Sequence, residues 1–282
     1  MMTRAGRATL TGKPSGGRPA NGSSLHAALR AEWTKLRTLP GTPWLLAALM
    51  ILTIAVGVAA AASVTCPDGG CGIDPTRTSL TGIYLGQAVA AILGVLVLSG
   101  EYGTGMVRVT FTAMPRRATV LAAKAVIVSG PVLAAGALAV GGSLMAGRGL
   151  LTGHGFTPAH GYPALTLGNG AVLRAAVGSV LYLVLIALLG LGVAAVVRDP
   201  ALAIGTVLGL LYLDPILAAV LHGAHWHNVV ERYAPMTAGL TIQATTSVRG
   251  LPISPWAGLG VLAAWAGAAL VSGGLLLRLR DA

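Results

Sequence analysis

"VLRAAVGSVLYLVLIALLGLGVAAVV", residues Val172–Val197, decides what kind of protein this is. Its one charge, Arg174, lies near the start, and the rest is apolar over a length that spans a hydrocarbon core of about 30 Å as a helix. Five more runs repeat the pattern: Trp44–Val64, Leu80–Ser99, Val120–Ala146, Ala201–Leu221 and Trp256–Leu277. Of the 282 residues 55% are hydrophobic and only 10% charged, with a mean hydropathy of +0.78. A soluble domain carries about a quarter charged residues, so this chain lacks the polar surface to cover one. The expected fold is all-α, a polytopic membrane domain over residues 44–277 with six transmembrane helices.

Orientation follows from the basic residues. Six spans put both termini on one side, and 14 of the 19 Lys and Arg fall there: seven before the first span, Arg108, Arg116, Arg117 and Lys124 around the second and third, then Arg198, Arg278 and Arg280. The opposite side holds Arg77, Arg148, Arg174, Arg232 and Arg249. The positive-inside rule places both termini, including the short tail 278–282, in the cytoplasm of a multi-pass cell-membrane protein. A basic inner face against anionic lipid accounts for the net charge of +11 without any nucleic acid.

Cys66 and Cys71 both fall in the first outer loop, "TCPDGGCGIDPT". The oxidising side favours a disulfide that stiffens this loop over two separate thiols, and two ligands are too few for a metal. The first apolar run is read as a span rather than a signal peptide, because 43 residues precede it and it has full spanning length.

Residues 1–24, rich in Gly, Ser, Pro and Arg, are expected to form a disordered basic tail. Within it "GRATLTGKP", residues 6–14, imitates a phosphate-binding loop, but five residues separate Gly6 from Gly12 and Pro14 stands where Ser or Thr is needed. Residues 25–39 follow a different rule. Leu25, Leu29, Trp33 and Leu36 recur at helical spacing, with Arg30, Lys35 and Arg37 largely off that stripe, as in a helix lying in the membrane interface. Packing against a soluble partner is the alternative. Pro40, Gly41 and Pro43 should break this helix before the first span.

The charged segment "SGEYGTGMVRVTFTAMPRRA", Ser99–Ala118, interrupts the apolar part of the chain and is longer than a hairpin connection needs. Glu101, Thr104, Arg108 and Thr112 align on one face of a helix. Val107–Thr112 also alternates as a strand does, but an unpaired strand at a membrane surface would leave its backbone unsatisfied. A helix is expected, against the simpler reading of a solvated linker.

The chain resembles ABC-2-type ABC transporter permeases, particularly the small six-span type of actinobacteria. The resemblance rests on "LRAEWTKLRTLPGTPWLL" (residues 29–46), "EYGTGMVRVTFTAMPRRATVLAAK" (101–124), "LRAAVGSVLYLVLIALLGLGVAAVVRDP" (173–200) and the long outer loop before the last span. It implies a permease subunit working as a homodimer or heterodimer with a separate cytoplasmic ATPase and usually exporting its cargo. It further implies an interfacial helix before the first span and a cytoplasmic coupling helix between spans two and three. The coupling surface would comprise Glu101, Tyr102, Thr104, Gly105, Arg108, Pro115, Arg116 and Arg117. A stiff helix joined to two spans turns a partner's closure into rigid-body movement of both.

Other residues are read individually. Asp214 lies past the middle of the fifth span beside Pro215, where a carboxylate must face the bundle or a cavity; it is either a pathway or proton-carrying group or a structural one. A proton-coupled secondary transporter using Asp214 is therefore the second functional reading. Arg174 can snorkel to the headgroups or pair with Asp214 or Glu231. His222, His225 and His227 are read as a wet loop rather than a metal site. Gly82 with Gly86, and Gly205 with Gly209, permit close helix packing within the chain or between chains. With no HExxH motif and no base near Ser179, neither catalysis nor a cofactor is expected.

Overall fold

The computed structural model describes residues 29–30, 33–34, 41–66, 71–103, 117–162, 164–220, 224–246 and 248–279; at 101–103, 117–118, 214, 217–220, 224–228, 249 and 278 it describes the backbone alone. All regular structure among these residues is helical. The helices are α1 (Gly41–Ser63), α2 (Pro75–Ser79), α3 (Ile83–Gly103), α4 (Arg117–Gly153), α5 (Gly170–Val197), α6 (Pro200–Val220), α7 (Ala224–Tyr233), α8 (Pro235–Leu240) and α9 (Pro255–Leu279). Short 3₁₀ turns occupy Pro158–His160, Thr241–Gln243 and Val248–Gly250.

Five helices, α1, α3, α4, α5 and α9, are long and apolar enough to cross a membrane. By length and composition the chain is a multi-pass membrane protein. The remaining expected run, 201–221, coincides with α6, whose described apolar stretch covers Pro200–Leu213. Helix edges differ from hydropathy at α4 and at α1, among others. Helix α4 extends to Gly153, past the apolar run ending at Ala146, because backbone hydrogen bonding continues a helix regardless of side-chain polarity. Gly41 and Pro43 sit inside the first turn of α1 rather than before it; the first-turn N–H groups have no helical acceptor, so proline costs little there.

Helices α3 and α5 form the centre, with 56% of each spanning window buried, while α1 and α9 bury only 22% of theirs. Glycine permits the central contact. A Cβ on Gly94 would overlap the Ala187 carbonyl, and one on Gly190 would overlap the Ala91 carbonyl, so the two backbones touch reciprocally. The glycine pairs noted in the sequence separate. Gly82 and Gly86 both press on Thr53 of α1, whereas Gly205 and Gly209 face open space.

The turn from α5 to α6 shows how a short motif reverses the chain. Arg198 adopts a left-handed backbone (φ 63°), its N–H closing on the Ala194 carbonyl. Its guanidinium donates to the Leu276 carbonyl of α9 at 3.2 Å. Asp199 Oδ1 accepts from Leu202 N at 2.8 Å and so caps α6, and Pro200 opens the helix.

Candidate functional site

Two ends of the bundle carry polar structure. One holds the disulfide between Cys66 and Cys71, the α4–α5 loop and the described residues between α6 and α9; the other holds the end of α3, the start of α4 and the α5–α6 turn.

At the disulfide end, Cys66 is buried beside Leu151, Phe156 and Tyr162. Its N–H donates to the His154 carbonyl at 2.9 Å, and the Tyr162 hydroxyl accepts from Cys71 N at 2.9 Å. These contacts join the α1–α2 loop to the end of α4.

Asp74 is the organiser of this end. "DP" starts α2 in the usual way, with Asp74 Oδ1 accepting from Thr76 N and Arg77 N and Pro75 opening the helix. The same carboxylate reaches across the chain. Oδ1 accepts from Thr245 Oγ1 at 2.7 Å, and Oδ2 accepts from Thr245 N and from Thr246 N, the latter at 3.0 Å. Arg174 Nη2 donates to the Ala244 carbonyl, one residue before Thr245. A basic group and an acidic group thus hold the two ends of the Ala244–Thr245 peptide, and the acid also holds the next peptide N–H of the connection leading to α9. Ile242 lies against Gly178 of α5 two residues earlier and seats the same segment on the core.

Beneath this cap a buried polar relay crosses the centre. Tyr182 and Gln87 are both fully buried. The Tyr182 hydroxyl donates to Gln87 Oε1, and Gln87 Nε2 donates to Met236 Sδ at 3.2 Å. Tyr212 of α6 donates to the Tyr84 carbonyl at the start of α3. In an apolar bundle such bonds fix which helix faces meet.

At the opposite end Lys124 is only 1% exposed, and its Nζ donates to the Val97 carbonyl of α3 at 3.2 Å. This bond ties α3 to α4 just inside the segment that joins them. Of the expected coupling residues, Thr104, Gly105, Arg108, Pro115 and Arg116 lie outside the described residues. Glu101 and Tyr102 close α3 and Arg117 opens α4, as backbone only. Of the amphipathic stripe, Leu25 and Leu36 lie outside the described residues, while Leu29 and Trp33 are helical; Thr34 Oγ1 donates to the Arg30 carbonyl at 2.9 Å, one helical turn back. Asp214 lies inside α6 with only its backbone described. His222 is outside the described residues, and His225 and His227 are described as backbone in α7. Among the described residues no group of three or more His, Cys, Asp or Glu is placed to hold a metal.

The sequence reading missed Asp74, Thr245, Gln87 and Tyr182. Asp74 followed by Pro75 is a helix-start signal that was legible; its second partner, 171 positions away, was not. Gln87 was legible only as a lone amide in an apolar run. No family model matches the chain, and no curated protein matches it either.

Proposed function

We propose that this chain is the membrane permease subunit of an ATP-binding cassette transporter of the ABC-2 type. In this reading six helices cross the membrane, α6 being the fifth, and both termini are cytoplasmic. A second permease, identical or related, completes the conduit, and a separate cytoplasmic ATPase supplies the energy for export. The observation that carries the reading is the charged segment between α3 and α4, whose residues resemble the family's coupling helix. The geometry around it supports a mechanical role. Lys124 links the two flanking helices at that end, and α3 lies in the centre against α5. A push on residues 104–116 would therefore reach both helices and the central contact together.

The stripe of Leu29 and Trp33 before α1 supplies the interfacial helix, lying along the lipid headgroups. The cap held by Asp74 and Arg174 closes the outer end. The test is affinity purification of the tagged full chain from native membranes in mild detergent, followed by mass spectrometry. An ATPase subunit should co-elute with the unaltered chain and be lost with Glu101→Arg or Arg108→Glu. A chain that brings down no ATPase even after gentle crosslinking would refute this reading and turn attention to proton-coupled transport through Asp214.

A further inference from the structure

The two halves of the disulfide are presented unequally. Cys66 is fully buried beside Leu151 and Phe156, whereas Cys71 is exposed. Tyr162 stands against both. Its oxygen accepts from the Cys71 N–H at 2.9 Å and lies 3.4 Å from Cys66 Sγ. A sulfur in a disulfide carries no hydrogen, so Tyr162 is the donor in that second contact.

Three positions after Cys71 the chain reaches Asp74. Gly72 turns it with a left-handed backbone (φ 65°), and Ile73 packs on the cluster that holds Cys66. Asp74 then caps α2 and clasps Thr245 and Thr246. The exposed half of the disulfide and the clasp on the connection to α9 thus share one short, turned segment.

We propose that Cys66–Cys71 is an exchange-active disulfide that takes an external dithiol as its substrate and sets the hold of the Asp74 clasp. Burial decides the direction of attack. A thiolate of the dithiol reaches the exposed sulfur, Cys71 Sγ, and forms a new S–S bond to it. The Cys66–Cys71 bond breaks, and Cys66 leaves as a thiolate that takes up a proton. The second sulfur of the dithiol then closes on the first, and Cys71 leaves in the same way. Two electrons pass from the dithiol, now a cyclic disulfide, to the two cysteines, and its two protons end on them. An apolar site resists a thiolate, and the hydroxyl of Tyr162 offsets this by donating to the sulfur on which the charge forms. With the bond open, the turn at Gly72 is no longer tied to the buried Cys66. The clasp must then hold a freer segment, at a greater entropic cost.

The test uses the full chain in detergent, without nucleotide or any second subunit, so that its outcome is independent of the permease reading. Reduction by dithiothreitol is followed by trapping free thiols with N-ethylmaleimide and weighing the product. Tyr162→Phe separates two roles by sign. A merely structural tyrosine would, when altered, loosen the loop and speed reduction. Loss of a donor to the leaving sulfur should instead slow reduction about tenfold, the worth of one hydrogen bond to a charged acceptor. Reduced glutathione followed by N-ethylmaleimide should leave glutathione on Cys71 and maleimide on Cys66, located by fragment-ion mass spectrometry. In the unaltered chain, hydrogen exchange over residues 240–252 should become several-fold faster on reduction. Cys66→Ser with Cys71→Ser should show the faster exchange with or without reductant. A disulfide inert to dithiothreitol, glutathione on Cys66, unchanged or faster reduction of Tyr162→Phe, or exchange that ignores the redox state would each overturn the proposal.

Discussion

Asp74 and Thr245, 171 positions apart, are joined by two hydrogen bonds, from the threonine hydroxyl at 2.7 Å and from its backbone N–H. One carboxylate thereby caps a five-residue helix in the first loop and clasps the connection leading to the last helix. Hydrogen bonds to a charged acceptor contribute more than neutral ones. Asp74→Ala removes the cap and the clasp together and should cost about 3 kcal/mol. Asp74→Asn keeps one carbonyl acceptor and should cost about half as much. Hydrogen-exchange mass spectrometry over residues 240–252 reads the effect directly: exchange should speed up strongly in the alanine variant and modestly in the asparagine variant. Unchanged exchange in both would show that the clasp contributes nothing.

The contact of α3 with α5 gives a sharper contrast. Gly94→Ala forces a methyl group into the Ala187 carbonyl, and the backbones must separate at a cost of about 1–3 kcal/mol. Gly205→Ala meets open space and should stay within about 0.5 kcal/mol of the parent. Thermal unfolding of both variants in detergent distinguishes them. Equal midpoints would mean that the central helices do not meet as described.

Tyr182→Phe leaves the ring in place and deletes one hydroxyl. Gln87 Oε1 loses its donor in a fully buried setting, and an unsatisfied buried acceptor costs about 1–3 kcal/mol. Gln87→Leu combined with Tyr182→Phe removes both partners and should recover part of that loss. The double-mutant cycle, measured by unfolding in detergent, reports the coupling. Additive effects would argue against the bond.

The disulfide closes a separation of five residues, so its contribution to the unfolded-state entropy is small, about 2 kcal/mol. Cys66→Ser with Cys71→Ser should lower stability by that amount under non-reducing conditions and abolish the effect of added reductant. A midpoint that still responds to reductant in the double variant would show that the sensitivity arises elsewhere.

Hydropathy located the long helices because a bilayer demands about twenty apolar residues per crossing, and that demand is written locally. Residues 172–197 are the clearest case, where the run and helix Gly170–Val197 nearly coincide. Ends were less legible. The second run begins at Leu80, yet α3 starts only at Ile83 after a separate short helix, since Asp74 and Pro75 start a turn that hydropathy does not register. Arg174 was visible as a charge near a span end, but its acceptor was not, because a backbone carbonyl leaves no mark in the side-chain pattern. The glycine pairs looked alike, and only their neighbours separated them: Thr53 lies against Gly82 and Gly86, and no described residue lies against Gly205 and Gly209.

By itself, then, the sequence determined an all-helical, membrane-crossing chain. Solvation by lipid acts on each segment independently of the others, so the evidence for it is local. The tertiary structure decided which helices lie at the centre, which glycines admit a neighbouring backbone, and how Asp74 and Arg174 hold the connection before the last helix. It also brought the Tyr162 hydroxyl against both halves of the disulfide. Those outcomes depend on close packing and on hydrogen bonds between segments far apart in the chain, whose geometry exists only once the helices have met.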